Sequence, residues 1–177
     1  MTIINEGRLR FQFPDGCRAI KYDDTSYYRN QLEKAVNLKA VDIIVSTNKQ
    51  SISFIEIKDF RGHAIENKKR LKSGELACEV AEKFAHTLAG LVGAYRTEDS
   101  ALFGLAVDCL KRNKRTMEVI LFLQEDKIAV RLHPSKKRRT DQLDLLRRHL
   151  KPFGVAARIA NLEDLPTGTL WSVCTIN

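Results

Sequence analysis

The sequence predicts an α/β fold in which a mixed β-sheet is covered by helices. Three observations carry this. Two short, strongly apolar runs, residues 40–46 and 51–58, are separated only by Thr47-Asn48-Lys49-Gln50, and so short a connection joins antiparallel strands. Residues 74–95 place Leu76, Val80, Phe84, Leu88, Leu91, Val92 and Tyr95 at helical spacing. Strand-like runs at 116–124, 155–160 and 170–176 then alternate with helical ones.

Taken in order, residues 8–13 alternate as a strand, and 17–22 are expected to pair with it across the turn signal Pro14-Asp15-Gly16. Asp24 or Thr25 caps a helix to about Val36, with Tyr28, Leu32, Ala35 and Val36 as its apolar stripe. The central hairpin follows. Residues 59–73 are polar and basic and read as a long exposed loop. Beyond the long helix come a shorter helix at 100–110 and strands at 116–124 and 127–132. Thr140 caps a helix through about Leu150, with Leu143, Leu146 and Leu150 facing the core, and Pro152 and Gly154 end it. No linker or repeat divides the chain, so residues 1–177 are expected to form a single domain, large enough to bury roughly two-thirds of its unfolded surface.

Composition narrows the function. The chain has 44% hydrophobic and 29% charged residues, which fits a globular protein. Apolar stretches such as 101–107 are too short to cross a bilayer. The first residues show no basic region followed by an apolar one, so the expected compartment is the cytoplasm, with no membrane partner. Cys17, Cys78, Cys109 and Cys174 form no CxxC pair and are expected to be reduced and mostly buried.

The net charge is +8, and the excess is local. Residues 61–72 carry +4, residues 111–115 carry +4 and residues 133–151 carry +5, leaving the rest of the chain at −5. A mildly acidic body with basic segments suits a polyanion such as nucleic acid. Solvated faces that aid solubility are the competing reading.

Three ionisable residues interrupt the apolar hairpin. Glu56 and Lys58 are two apart, so they share one face of their strand. With Lys49 at the centre of the connection, Asp42 lies opposite Glu56, and a slip of one residue would separate them. Two carboxylates about 5 Å apart repel, and burial makes this worse. A shared proton, Lys58 or a divalent cation must neutralise them. Hard oxygen ligands suit Mg²⁺ or Mn²⁺, and such a set is able to hydrolyse a phosphodiester. A satisfied Asp–Lys–Glu cluster without chemistry is the alternative. Lys83 reads as a solvated lysine on the long helix, and His63 is the one histidine close to the active strand in sequence. There is no P-loop, dinucleotide fingerprint or zinc-enzyme histidine pattern.

An Asp on one strand, then thirteen residues, then Glu56-Ile57-Lys58, with a helix on either side, resembles the core of the PD-(D/E)XK nuclease superfamily over roughly residues 25–95. The resemblance implies a restriction-endonuclease-like core and a metal-dependent nuclease. Asp42 and Glu56 would bind Mg²⁺ or Mn²⁺, the backbone carbonyl of Ile57 would be a further ligand, and Lys58 would be the catalytic lysine. Members often add an acidic residue from the first helix, and Glu33 is the candidate catalytic carboxylate here; a solvated Glu33 off the apolar stripe, or Asp24 in its stead, are the alternatives. Val41 stands where proline is usual, and the strand normally found between that helix and the Asp has no room. Either the hairpin at 8–22 takes its place or the Asp sits on a different strand than usual, which leaves the strand order open. Under this reading Arg61, Lys68, Lys69, Arg70 and Lys72 grip phosphates beside the cut. The substrate expected is DNA rather than RNA, and a homodimer would serve to cut both strands. The alternative is a catalytically silent nuclease-like module that binds nucleic acid or a protein.

Overall fold

The computed structural model describes residues 1–47, 51–63, 67, 70–71, 73–110, 116–126 and 135–176, with backbone alone at 135–138. The strand expected at 127–132 lies outside the described residues.

Among the described residues, two sheets and a helical layer make up the fold. β1 (Thr2–Glu6), β2 (Leu9–Phe13) and β8 (Ser172–Thr175) form a small antiparallel sheet in the order β1-β2-β8. The main sheet has the order β3-β4-β5-β6-β7, from β3 (Cys17–Lys21), β4 (Ile43–Thr47), β5 (Ser51–Asp59), β6 (Thr116–Gln124) and β7 (Ala156–Ala160). Its first three strands are antiparallel, and β5, β6 and β7 run parallel. The mixed sheet covered by helices is therefore as the sequence predicts.

The alternation of side chains explains the layering. On β4 and β5, Ile43, Val45, Ile55 and Ile57 face the small sheet, where Leu9, Phe11, Phe13 and Trp171 meet them. Ile44, Ile52 and Phe54 point to the opposite face and pack under the helices. Both faces are covered, which is why these strands read as continuous apolar runs. Trp171 is a packing residue, with its ring 5.7 Å from that of Phe11.

The helical layer centres on α2 (Glu75–Arg96), which packs against α3 (Phe103–Leu110) and α4 (Ser135–Leu150). Leu76, Val80, Phe84 and Leu91 of α2 are wholly buried, and Phe84 meets Phe54 edge-on at 4.9 Å. The first helix, α1, is a π-helical stretch, Tyr28–Glu33, closing in a short turn, Lys34–Val36. Thr25 does cap it, its hydroxyl accepting from the Tyr28 amide at 3.2 Å. Gly90 of α2 packs against α1 and the segment leading into it: a Cβ there would stand 2.3 Å from the buried Tyr22 hydroxyl and 2.6 Å from Leu32 Cδ1. Gly90→Ala is expected to cost about 1–2 kcal/mol, read as a lower midpoint in chemical denaturation. An unchanged midpoint would contradict this packing.

Four expectations need correction. The strands flanking Pro14-Asp15-Gly16 do not pair with each other. The turn, closed by the Cys17 amide on the Pro14 carbonyl at 3.2 Å, moves the chain from the small sheet to the edge of the main one. β2 buries Leu9, Phe11 and Phe13 on one face and needs the main sheet as a cover, not as an edge partner. Residues 59–73 are not wholly an exposed loop, because Asn67, Arg70, Leu71 and Ser73 are helical and Phe60 and Leu71 are buried. α4 begins at Ser135, before Thr140. Of the four free cysteines only Cys109 is buried; Cys78 and Cys174 are exposed.

Candidate active site

Asp42 precedes β4 and is pinned by its neighbours. The Val41 amide donates to the buried Thr87 hydroxyl of α2 at 3.0 Å, and the Lys39 amide donates to His86 Nδ1 at 3.1 Å. The Tyr22 amide donates to the Asp42 carbonyl at 2.8 Å. The hairpin register runs from Ile43↔Ile55 to Thr47↔Ser51, which continues to Asp42 opposite Glu56, as a connection centred on Lys49 requires. Asp42, Glu56 and Lys58 thus point to the helix-covered face. β3, the strand after the Pro14 turn, pairs with β4 from Cys17↔Thr47 to Lys21↔Ile43 and supplies the third antiparallel strand beside the hairpin.

Helix α2 adds two groups, one turn apart on one face. Lys83 Nζ lies 2.7 Å from Glu56 Oε1 and 3.9 Å from Asp42 Oδ1. Glu79 Oε1 accepts from Lys58 Nζ at 2.9 Å, while Arg70 holds Glu79 Oε2. Lys58 also reaches Glu56 Oε1 at 2.9 Å. Three carboxylates therefore interleave with three cations. Lys83, expected to be a solvated helix lysine, is only 17% exposed and sits in the centre of the site. Glu79 was not legible as a site residue. Its available signal was the spacing Glu79-x-x-x-Lys83 beside the stripe residues Val80 and Phe84.

The distribution of these contacts is uneven. Glu56 is fully buried, and both ammonium groups take its Oε1. Its Oε2 is left buried without a hydrogen-bond partner, a cost of about 1–3 kcal/mol or more. Asp42 Oδ2 accepts from the Ile57 amide at 2.5 Å. Burial and the neighbouring Glu56 charge push the Asp42 carboxyl up to about 7, against the opposing pull of Lys83 and the Ile57 amide. Burial alone would depress the Lys58 ammonium, but Glu56 and Glu79 outweigh it and hold its pKa above the ordinary value. Glu79, despite partial burial, is held below the usual carboxylate range by Lys58 and Arg70.

Asp42 and Lys83 open onto a groove of about 680 Å³, which Asp23, Arg29, Glu33 and Lys39 also line. Glu33 is exposed on its wall. Among the described residues no group of three or more His, Cys, Asp or Glu side chains could cage a metal ion. The donors on offer to a divalent ion are two carboxylates and backbone oxygen. That set fits Mg²⁺, which commonly takes one or two carboxylates and completes its shell with water and phosphate. The unpartnered Glu56 Oε2 is the observation that favours the fit.

The basic residues fall into two groups. Arg61 is committed inside the fold: its guanidinium reaches both Asp59 oxygens, at 2.8 and 2.6 Å, and Thr175 Oγ1 at 3.1 Å. Arg70 is 37% exposed at the edge of the site. Lys68, Lys69, Lys72 and the run at 111–115 lie outside the described residues. His63 is exposed beyond β5.

No protein-family model matches the chain, and no solved structure matches it. Across 96% of its length it is 29% identical to a cysteine–tRNA ligase of Neisseria meningitidis serogroup A / serotype 4A. The chain spans 27% of that protein. No helix among the described residues is long and apolar enough to cross a membrane.

Proposed function

We propose that the protein is a metal-dependent nuclease that hydrolyses phosphodiester bonds of nucleic acid, DNA before RNA, on a restriction-endonuclease-like core. The observation that carries this reading is Glu56 Oε2, a wholly buried carboxylate oxygen without a partner, beside Asp42 and within one strand step of Lys58. Asp42, Glu56 and the Ile57 carbonyl are the groups that would hold Mg²⁺ or Mn²⁺, which when bound polarises a phosphoryl oxygen and acidifies water.

Lys58 stays an ammonium near neutrality because Glu56 and Glu79 both hold its Nζ. It therefore works as a donor, orienting water or balancing charge on the crowded phosphorus, and not as a base. Glu79 positions it, and Arg70 in turn fixes Glu79. Glu33 lines the groove through which a strand would reach Asp42. The basic segments supply the salt-dependent attraction for the backbone, and a homodimer would bring two such sites to a duplex.

A second reading, a catalytically silent module that binds nucleic acid or a protein, is favoured by one observation: Lys83 already sits between the two carboxylates and offsets part of their charge. The similarity to a ligase whose name specifies tRNA puts RNA among the ligands to test. Plasmid DNA, single-stranded DNA and tRNA incubated with the protein and Mn²⁺ or Mg²⁺ decide between them. Cleavage of one class, lost with EDTA, is the expected result. Salt-sensitive binding with no cleavage under any metal would leave the silent module in its place.

A further inference from the structure

We propose that Lys83 is a built-in competitor of the metal: its ammonium lies between Asp42 and Glu56, so it and a divalent ion held by the same two carboxylates oppose one another's binding. This deepens the nuclease reading and rests on it, by naming how the same site is regulated. The position is central, 2.7 Å from Glu56 Oε1 and 3.9 Å from Asp42 Oδ1. Lys58 already shares Glu56 Oε1 with Lys83, so a divalent ion held by the same carboxylates would add a third cation to this space and meet strong repulsion.

The two lysines of the site are not equivalent. Lys58 has a second carboxylate outside the pair, Glu79, and keeps it whatever happens at Asp42. Lys83 makes one short contact, to Glu56, and one longer one, to Asp42, both within the pair itself. It also has somewhere to go. It lines the groove of about 680 Å³ that carries the carboxylates of Asp23 and Glu33, and its four-carbon stem is flexible enough to reach across. Asp23 is already engaged with Lys21 at 2.9 Å, whereas Glu33 is exposed on the wall and is the receiver for a displaced ammonium. This gives Glu33 a role beside the centre instead of within it. The ammonium preserves the fold when metal is scarce and sets a threshold concentration that the ion must exceed.

Calorimetric titration of metal-free protein with MnCl₂ tests this without reading activity, using wild type, Lys83→Met, Lys83→Arg and a Glu56→Gln control. Removing the competing charge is expected to tighten Mn²⁺ binding about tenfold or more in Lys83→Met. Lys83→Arg should bind no more tightly than wild type, and Glu56→Gln should lose binding. In EDTA, Lys83→Met should melt below wild type and gain more from Mn²⁺ than wild type does. If that variant does not fold in EDTA, recovery of its helical circular dichroism by Mn²⁺ is the supporting result. Mn²⁺ binding by wild type that Lys83→Met leaves unchanged or weakens, or no recovery of an unfolded variant, overturns the competition alone. Absence of binding in every variant overturns it together with the nuclease reading.

Discussion

Asp42→Ala and Lys58→Ala are each expected to lower metal-dependent cleavage by about 10²-fold or more while the protein stays folded. The two substitutions act differently. Asp42→Ala removes one of the two carboxylates proposed to hold the metal. Lys58→Ala leaves both carboxylates in place and deletes the ammonium that Glu56 and Glu79 hold. Neither is expected to unfold the chain. Without Lys58, Glu79 keeps Arg70 and Glu56 keeps Lys83; without Asp42, a repulsion with Glu56 is relieved. Cleavage rates measured beside circular dichroism check this, and activity that persists in both folded variants would place the chemistry elsewhere.

Asp42→Asn is expected to stabilise the metal-free protein by about 2–3 kcal/mol more at pH 8.5 than at pH 5. The Asp42 carboxyl is pushed up to about 7 by burial and by Glu56, whereas in an unfolded chain it titrates near 4. Between those values the folded protein holds a proton that the unfolded chain has released. Stability therefore falls as pH rises through this window, and the penalty is complete above about pH 7. The amide removes the charge and keeps an oxygen to accept from the Ile57 amide. Urea unfolding of both proteins across pH 5–8.5 reads the difference directly. A gap that stays constant with pH would mean that Asp42 is not the group responsible.

What was legible in the sequence is local. Four residues between two apolar runs demand a hairpin, and its centre sets the register that puts Asp42 opposite Glu56. Period two then places Lys58 with them. The strand at Thr116–Gln124 and the long helix came from equally local patterns. What escaped depends on how elements meet. The stripe of α2 says which side is buried, but not its rotation over the sheet, and a small rotation decides whether Lys83 reaches Glu56 or water. The Pro14 turn misleads because a tight turn has the same residues whether its flanks pair or diverge. The burial of Leu9, Phe11 and Phe13 under β5 and β6 is a long-range outcome.

Among the described residues, the side chains at the centre, from Asp42 to Lys83, come from one stretch of chain, whereas β2 pairs with β8 between residues as far apart as Leu9 and Thr175. Closing loops of such different length differs in entropic cost and in speed. As the chain folds, the hairpin and the helix lying over it have what they need to assemble early, and the union of the first and last strands comes late. The reactive centre is thus a module that nascent polypeptide can form before the small sheet is complete, and variants that loosen the terminal strands should slow maturation without redrawing the pocket.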